Sequence, residues 1–179
     1  MRRSFAISLL LLLCVGTFAH AQFAGTGTST LSIVVGPEAA LSIVTGTTTL
    51  GTTGNSFANS FTGTTNFNYK VRTSPATGNG TITVKVTSDF GGVNGPSVAN
   101  PPTAGDALTY TCAVTGVGSA CASATTASTT AATNVVTFGA GARSSSAGDS
   151  GSVSWDLTND PRYAVGTYTA TVLFTISAA

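Results

Sequence analysis

Apolar side chains recur at every second position through nearly every apolar run of this chain, and no run keeps a helical spacing. Phe67, Tyr69 and Val71 share one face, with Asn66, Asn68, Lys70 and Arg72 on the other. Ile82, Val84 and Val86 alternate with Thr81, Thr83, Lys85 and Thr87; Leu108, Tyr110, Cys112 and Val114 alternate with Thr109, Thr111 and Ala113. Val136 and Phe138 flank Thr137, and Val153, Trp155 and Leu157 alternate with Ser152, Ser154 and Asp156. The longest run places Tyr168, Ala170, Val172, Phe174 and Ile176 on one face. A period of two describes strands with one face on a core and one in water. Threonine suits the wet face, because its branched Cβ fits the pleat and its hydroxyl meets solvent.

Turn residues punctuate these runs. Residues 75–80, ending in Gly78-Asn79-Gly80, read as a hairpin connection. Residues 89–106 and 139–151 read as long loops, and Asn159-Asp160-Pro161 marks a turn before the last strand. Leu-Ser-Ile-Val occurs twice, starting at Leu31 and at Leu41, and is expected to form two early strands joined or kinked at Gly36-Pro37. The fold class expected is all-β: an immunoglobulin-like, Greek-key sandwich of about seven to nine mostly antiparallel strands.

Residues 1–21 read as a secretory leader: Arg2 and Arg3, an apolar stretch over 5–15, and a small-x-small site at Ala19-His20-Ala21. Leu11-Leu12-Leu13-Cys14 faintly resembles a lipoprotein signal, but Leu13 is not the small residue such a signal needs, so Cys14 is expected to leave with the leader. Residues 22–30 are then a flexible lead-in and 31–179 a single domain, of a size that can bury a core. Beyond the leader five cations face six carboxylates, a net charge of about −1. That leaves no basic patch for nucleic acid. No second apolar run approaches the length of a membrane span. The expected location is secreted or at the cell surface.

Cys112 and Cys121 are the two thiols beyond the leader, and in an oxidising compartment they are expected to pair across a hairpin or short loop. Their spacing is not Cys-x-x-Cys, and no His or third Cys beyond the leader completes a zinc site.

Catalytic groups are scarce. Asp89, Asp106, Asp149 and Asp160 fall in loops or turns, where Asp accepts from backbone donors, and Asp156 points outward. They are not expected to form the facing pair of a glycosidase, and no Asp-x-Asp-x-Asp-Gly calcium loop occurs. A serine nucleophile would have to use Lys70 or Lys85, both outward. Asn79-Gly80-Thr81 matches a glycosylation sequon but reads as a turn. Trp155, Tyr69, Tyr110 and Tyr168 fall on core faces, whereas Tyr163, after Pro161, is the aromatic expected at the surface and the candidate ligand contact. No catalytic residue, cofactor or metal site is expected.

Near the C-terminus, Gly166-Thr167-Tyr168-Thr169-Ala170-Thr171-Val172 followed by Phe174-Thr175-Ile176-Ser177 resembles the closing strand of secreted bacterial β-sandwich families. It is most similar to WxL-type cell-surface domains and more loosely to spore-coat-U and fimbrial-type subunits. Trp155-Asp156-Leu157 has the Trp-x-Leu form, while the closing motif reads Phe174-Thr175-Ile176, with the aromatic changed. The resemblance implies a non-catalytic structural or adhesion protein whose partners are cell-envelope glycan, protein subunits or its own kind. The alternative is a carbohydrate- or peptidoglycan-binding module.

Overall fold

The computed structural model describes residues 26–54 and 56–179. The expected leader, the cut after Ala21 and the start of the lead-in lie outside them. Two compact units result: Met1–Val34, whose described residues 26–34 carry no strand, and Val35–Ala179.

The second unit is all-β, as the alternation requires. Its strands are β1 (Glu38–Ile43), β2 (Phe61–Arg72), β3 (Gly80–Ser88), β4 (Thr109–Thr115), β5 (Ser119–Ala120), β6 (Thr125–Thr126), β7 (Thr133–Phe138), β8 (Asp149–Leu157) and β9 (Thr171–Ala178). They form two antiparallel sheets, ordered β1-β2-β8-β4-β6 and β5-β7-β3-β9. The inward residues of both sheets make one core: Phe67, Tyr69 and Val71 of β2, Ile82, Val84 and Val86 of β3, Val153, Trp155 and Leu157 of β8. Rings meet across the layers, Phe67 with Phe174 at 6.0 Å and Tyr69 with Phe138 at 5.4 Å between centroids. These contacts are what bind the sheets face to face.

Four local expectations need correction. The connection over residues 75–80 is not a hairpin, because β2 and β3 lie in different sheets. Turn residues reverse a chain equally well within a sheet or across a sandwich. Here Ser74 N–H donates to Ala179 O and Gly141 N–H to Ser74 O, tying the arch to the last strand and to the β7–β8 loop. The first Leu-Ser-Ile-Val copy forms no strand; only the second enters β1. The last strand begins at Thr171 rather than Tyr168. Tyr168 is drawn off by its hydroxyl, which donates to Ala164 O at 2.7 Å, and by its ring, which fills the space beside Gly92 and Gly95. Finally, β8 starts at Asp149, inside the stretch read as loop.

The register of β7 slips against β3 between Ile82 and Thr83, and Val135 and Val136 are both fully buried. A bulge of this kind turns two successive side chains the same way, which a period of two does not anticipate.

Candidate functional site

Cys112 of β4 and Cys121, just after β5, are joined by a disulfide with a Cα–Cα distance of 5.4 Å. Because β4 and β5 belong to different sheets, the bridge is a tie between layers and not a hairpin staple. Gly116 and Gly118 turn the chain between the two strands, at φ 113° and 112°. A Cβ on Gly116 would stand 2.2 Å from the Asp149 carboxyl carbon, so only glycine fits. Asp149 accepts from Val117 N–H at 2.9 Å, and the Tyr69 hydroxyl donates to Val117 O, which clamps the turn from both sides. Burial, then the Asp149 charge, pushes the Tyr69 hydroxyl up to about 12.

A second cluster gathers loops distant in sequence. Asp89 accepts from Phe90 N–H (2.8 Å), Val98 N–H (2.7 Å), Ala99 N–H (3.1 Å) and the Ser97 hydroxyl (2.6 Å). Partial burial raises its pKa, but these four donors outweigh that and hold the carboxyl below its ordinary value. Asp160 accepts from the Thr103 hydroxyl and from Arg162 N–H, in that order of effect, and its carboxyl is also held low. The two loops join where Ala164 N–H donates to Asn94 O at 2.8 Å. Between them runs an open groove of about 340 Å3, walled by Gly92, Asn94, Ser97, Asn100, Pro102 and Arg162. Residues 89–102 and Arg162 carried no shared signal in the sequence, because about 60 positions separate the loops and only the fold brings them together.

Tyr163 is not in the wall of that groove. Its ring is half-buried, and its hydroxyl is buried without a hydrogen-bond partner among the described residues. Burial, then the charges of Asp106 and Asp160, pushes that hydroxyl up to about 12. Among the described residues the most exposed aromatic is Phe57, at 65%. No group of three His, Cys, Asp or Glu comes together among the described residues.

The outer faces are hydroxyl-rich ladders. Thr64 of β2 stands opposite Ser154 of β8, which stands opposite Thr111 of β4. On the other sheet Thr81 pairs with Ser177 and Thr83 with Thr175. Among the described residues the one ion pair is Arg72–Glu38, at 2.9 Å and exposed, so these faces depend little on charge.

The sheet edges complete the surface. β5 and β6 are two-residue edges, whereas β1 and β9, which lie beside one another on one flank, are six and eight residues long. Glu38 sits on β1; β9 carries no charge and no proline. The inward residues of β9, Val172, Phe174 and Ile176, are only half-buried, while their partners on β3 are at most 2% exposed. The core is therefore only partly covered along this flank.

Comparison with protein families, with curated proteins and with solved structures finds no match for this chain.

Proposed function

We propose that the chain is an exported bacterial surface or extracellular protein, structural or adhesive and non-catalytic, that acts through its sheet faces and edges. The observation that carries this reading is the uncharged β9 edge beside an incompletely covered core. A long edge strand without lysine or proline is a template for pairing with another chain. The carboxylates support the same reading: Asp89, Asp149 and Asp160 are each occupied by hydrogen bonds that hold loops, which leaves them poorly placed for acid–base work. The WxL-like kinship suggested by residues 155–157 and 166–177 belongs to this proposal, as does the immunoglobulin-like, Greek-key form of the sandwich. Connections that cross between sheets after β2 and after β4 are compatible with it. The groove beside Arg162 is the place a glycan would bind under the alternative reading.

The test is to export the protein from its host, fractionate the cells, and measure self-association and adhesion to envelope material. The expected result is recovery in the wall, surface or filament fraction, with association nearly independent of salt. A monomer released to the medium, without affinity for envelope, glycan or itself, overturns the reading.

A further inference from the structure

Two exposed valines stand together at one end of the sandwich. There β3 ends and β9 begins, with Ser88 opposite Thr171, and β8 ends and β4 begins, with Thr109 opposite Asp156. The β3–β4 loop carries Val93, 85% exposed, and the β8–β9 loop carries Val165, fully exposed. Ala164 N–H donates to Asn94 O at 2.8 Å, so each valine lies one residue from the bond that joins the loops. The backbone is left-handed on both sides of Val93, at Gly91, Gly92 and Asn94. Tyr168 braces both loops: its hydroxyl donates to Ala164 O, and its ring takes the space a Cβ on Gly92 or Gly95 would need. A single exposed valine is ordinary, but two held side by side on braced loops form an apolar tip.

The groove of about 340 Å3 lies between the same loops, and Arg162 is its one cation. Arg162 makes no ion pair among the described residues, and its Nη1 donates to the Thr103 hydroxyl at 3.4 Å. Most of the five guanidinium donors are thus free. On the facing loop the N–H groups of residues 91–94 also meet no acceptor among the described residues. Asp89 lines the groove too, but each of its oxygens already accepts two hydrogen bonds from its own loop. A guanidinium fork and a row of amides suit a phosphate. The carboxylates of Asp89, Asp106 and Asp160 outnumber Arg162 at this end, so a phosphate that carries its own cation fits better than a net anion.

We propose that this end of the sandwich docks on a phospholipid surface with zwitterionic headgroups. Arg162 and the amides of residues 91–94 take one headgroup phosphate in the groove. Val93 and Val165, beside it, enter the boundary between headgroups and acyl chains. A folded protein is the poorer occupant: two valines offer far less than the roughly 800 Å2 each partner buries in a stable complex. A fluid bilayer demands neither that area nor a matching shape. With so few apolar groups the binding is weak and reversible. Because the end has no surplus of cations, it gains nothing from anionic lipid. The inference goes beyond the function proposed above and uses a different part of the surface from the sheet faces and edges.

Flotation of the exported chain with lipid vesicles tests it. The expected result is binding to phosphatidylcholine vesicles that is not strengthened when phosphatidylglycerol replaces part of the lipid. Val93→Ser and Val165→Ser should each weaken binding about tenfold, the transfer of one valine side chain. Arg162→Gln should weaken it several-fold, and Arg162→Lys should recover only part, since an ammonium lacks the fork. Leu173→Ser, on the outer face of β9, should leave binding unchanged. Inorganic phosphate and glycerophosphocholine should not bind measurably without a vesicle. Absence of vesicle binding overturns the inference, as does binding that needs phosphatidylglycerol and is lost in salt. An equal loss with Leu173→Ser overturns it too, because adhesion is then general to exposed apolar residues. Tight capture of free phosphate overturns it in favour of a soluble ligand. Each of these failures leaves the sheet-based reading standing, which self-association and fractionation decide.

Discussion

The indole N–H of Trp155 donates to the Thr65 hydroxyl at 2.9 Å, and that hydroxyl lies 2.6 Å from the hydroxyl of Thr48. Trp155 is on β8 and Thr65 on β2, so a buried polar contact joins neighbouring strands where the tryptophan fills the core. Its ring also meets Tyr110 edge-on at 5.3 Å. Trp155→Ala is expected to cost roughly 3–5 kcal/mol, the loss typical of truncating a buried aromatic. Trp155→Phe keeps most of the volume but removes one of the two partners of the Thr65 hydroxyl, and is expected to cost about 1 kcal/mol. Chemical denaturation of the two variants checks the order; a Trp155→Ala chain as stable as the parent refutes it.

Reducing the Cys112–Cys121 bridge is expected to lower stability by roughly 2–3 kcal/mol, the chain-entropy value for so short a loop. Because the bridge joins the two sheets, the loss should be global and not confined to the turn. Denaturation with and without reductant measures it, and thiol labelling of the unfolded, unreduced chain should find neither Cys112 nor Cys121 free.

Asp89 makes the loop of residues 89–106 sensitive to acid. Its folded pKa lies below the ordinary 3.8, so the unfolded chain takes up the proton first as pH falls. The stabilisation is complete above the ordinary value and is lost as pH drops through the lower folded one. Asp160 acts in the same direction. Asp89→Asn should remove part of this acid dependence and cost on the order of 1 kcal/mol at neutral pH, through lost hydrogen bonds. Stability measured from pH 2 to 7 for parent and variant decides it; identical profiles would count against the role.

Two tyrosines should respond oppositely to loss of their hydroxyl. The Tyr110 hydroxyl donates to the Thr133 hydroxyl at 2.7 Å and lies 3.0 Å from Asn134 O, so Tyr110→Phe should destabilise by about 1 kcal/mol. The Tyr163 hydroxyl is buried without a partner among the described residues, so Tyr163→Phe should be neutral or stabilising. Thermal melts compare them. A ligand contact through the Tyr163 hydroxyl would appear instead as lost binding at unchanged stability.

The alternation of small sets of residues carried the strands and their inward faces. Phe67, Tyr69, Ile82, Val84, Val153 and Trp155 lie where a period of two puts them, since a pleated strand with one dry face allows no other placement. Cysteine count and spacing likewise pointed to the one bridge. Which strands share a sheet was decided only by the tertiary structure. The turn after β2 holds proline, glycine and asparagine and the turn after β4 two glycines, all suited to reversing the chain, and such residues do not distinguish a hairpin from an arch between layers. The bulge at Val135, the capture of Tyr168 by Gly92 and Gly95, and the burial of the Tyr163 hydroxyl depend on neighbours far along the chain. The same holds for two features of the surface. Leu31 to Val34 has the pattern of a strand, yet pattern supplies no partner; an open β9 edge exists because the sheet order ends there, a property of how strands assemble and not of any one of them.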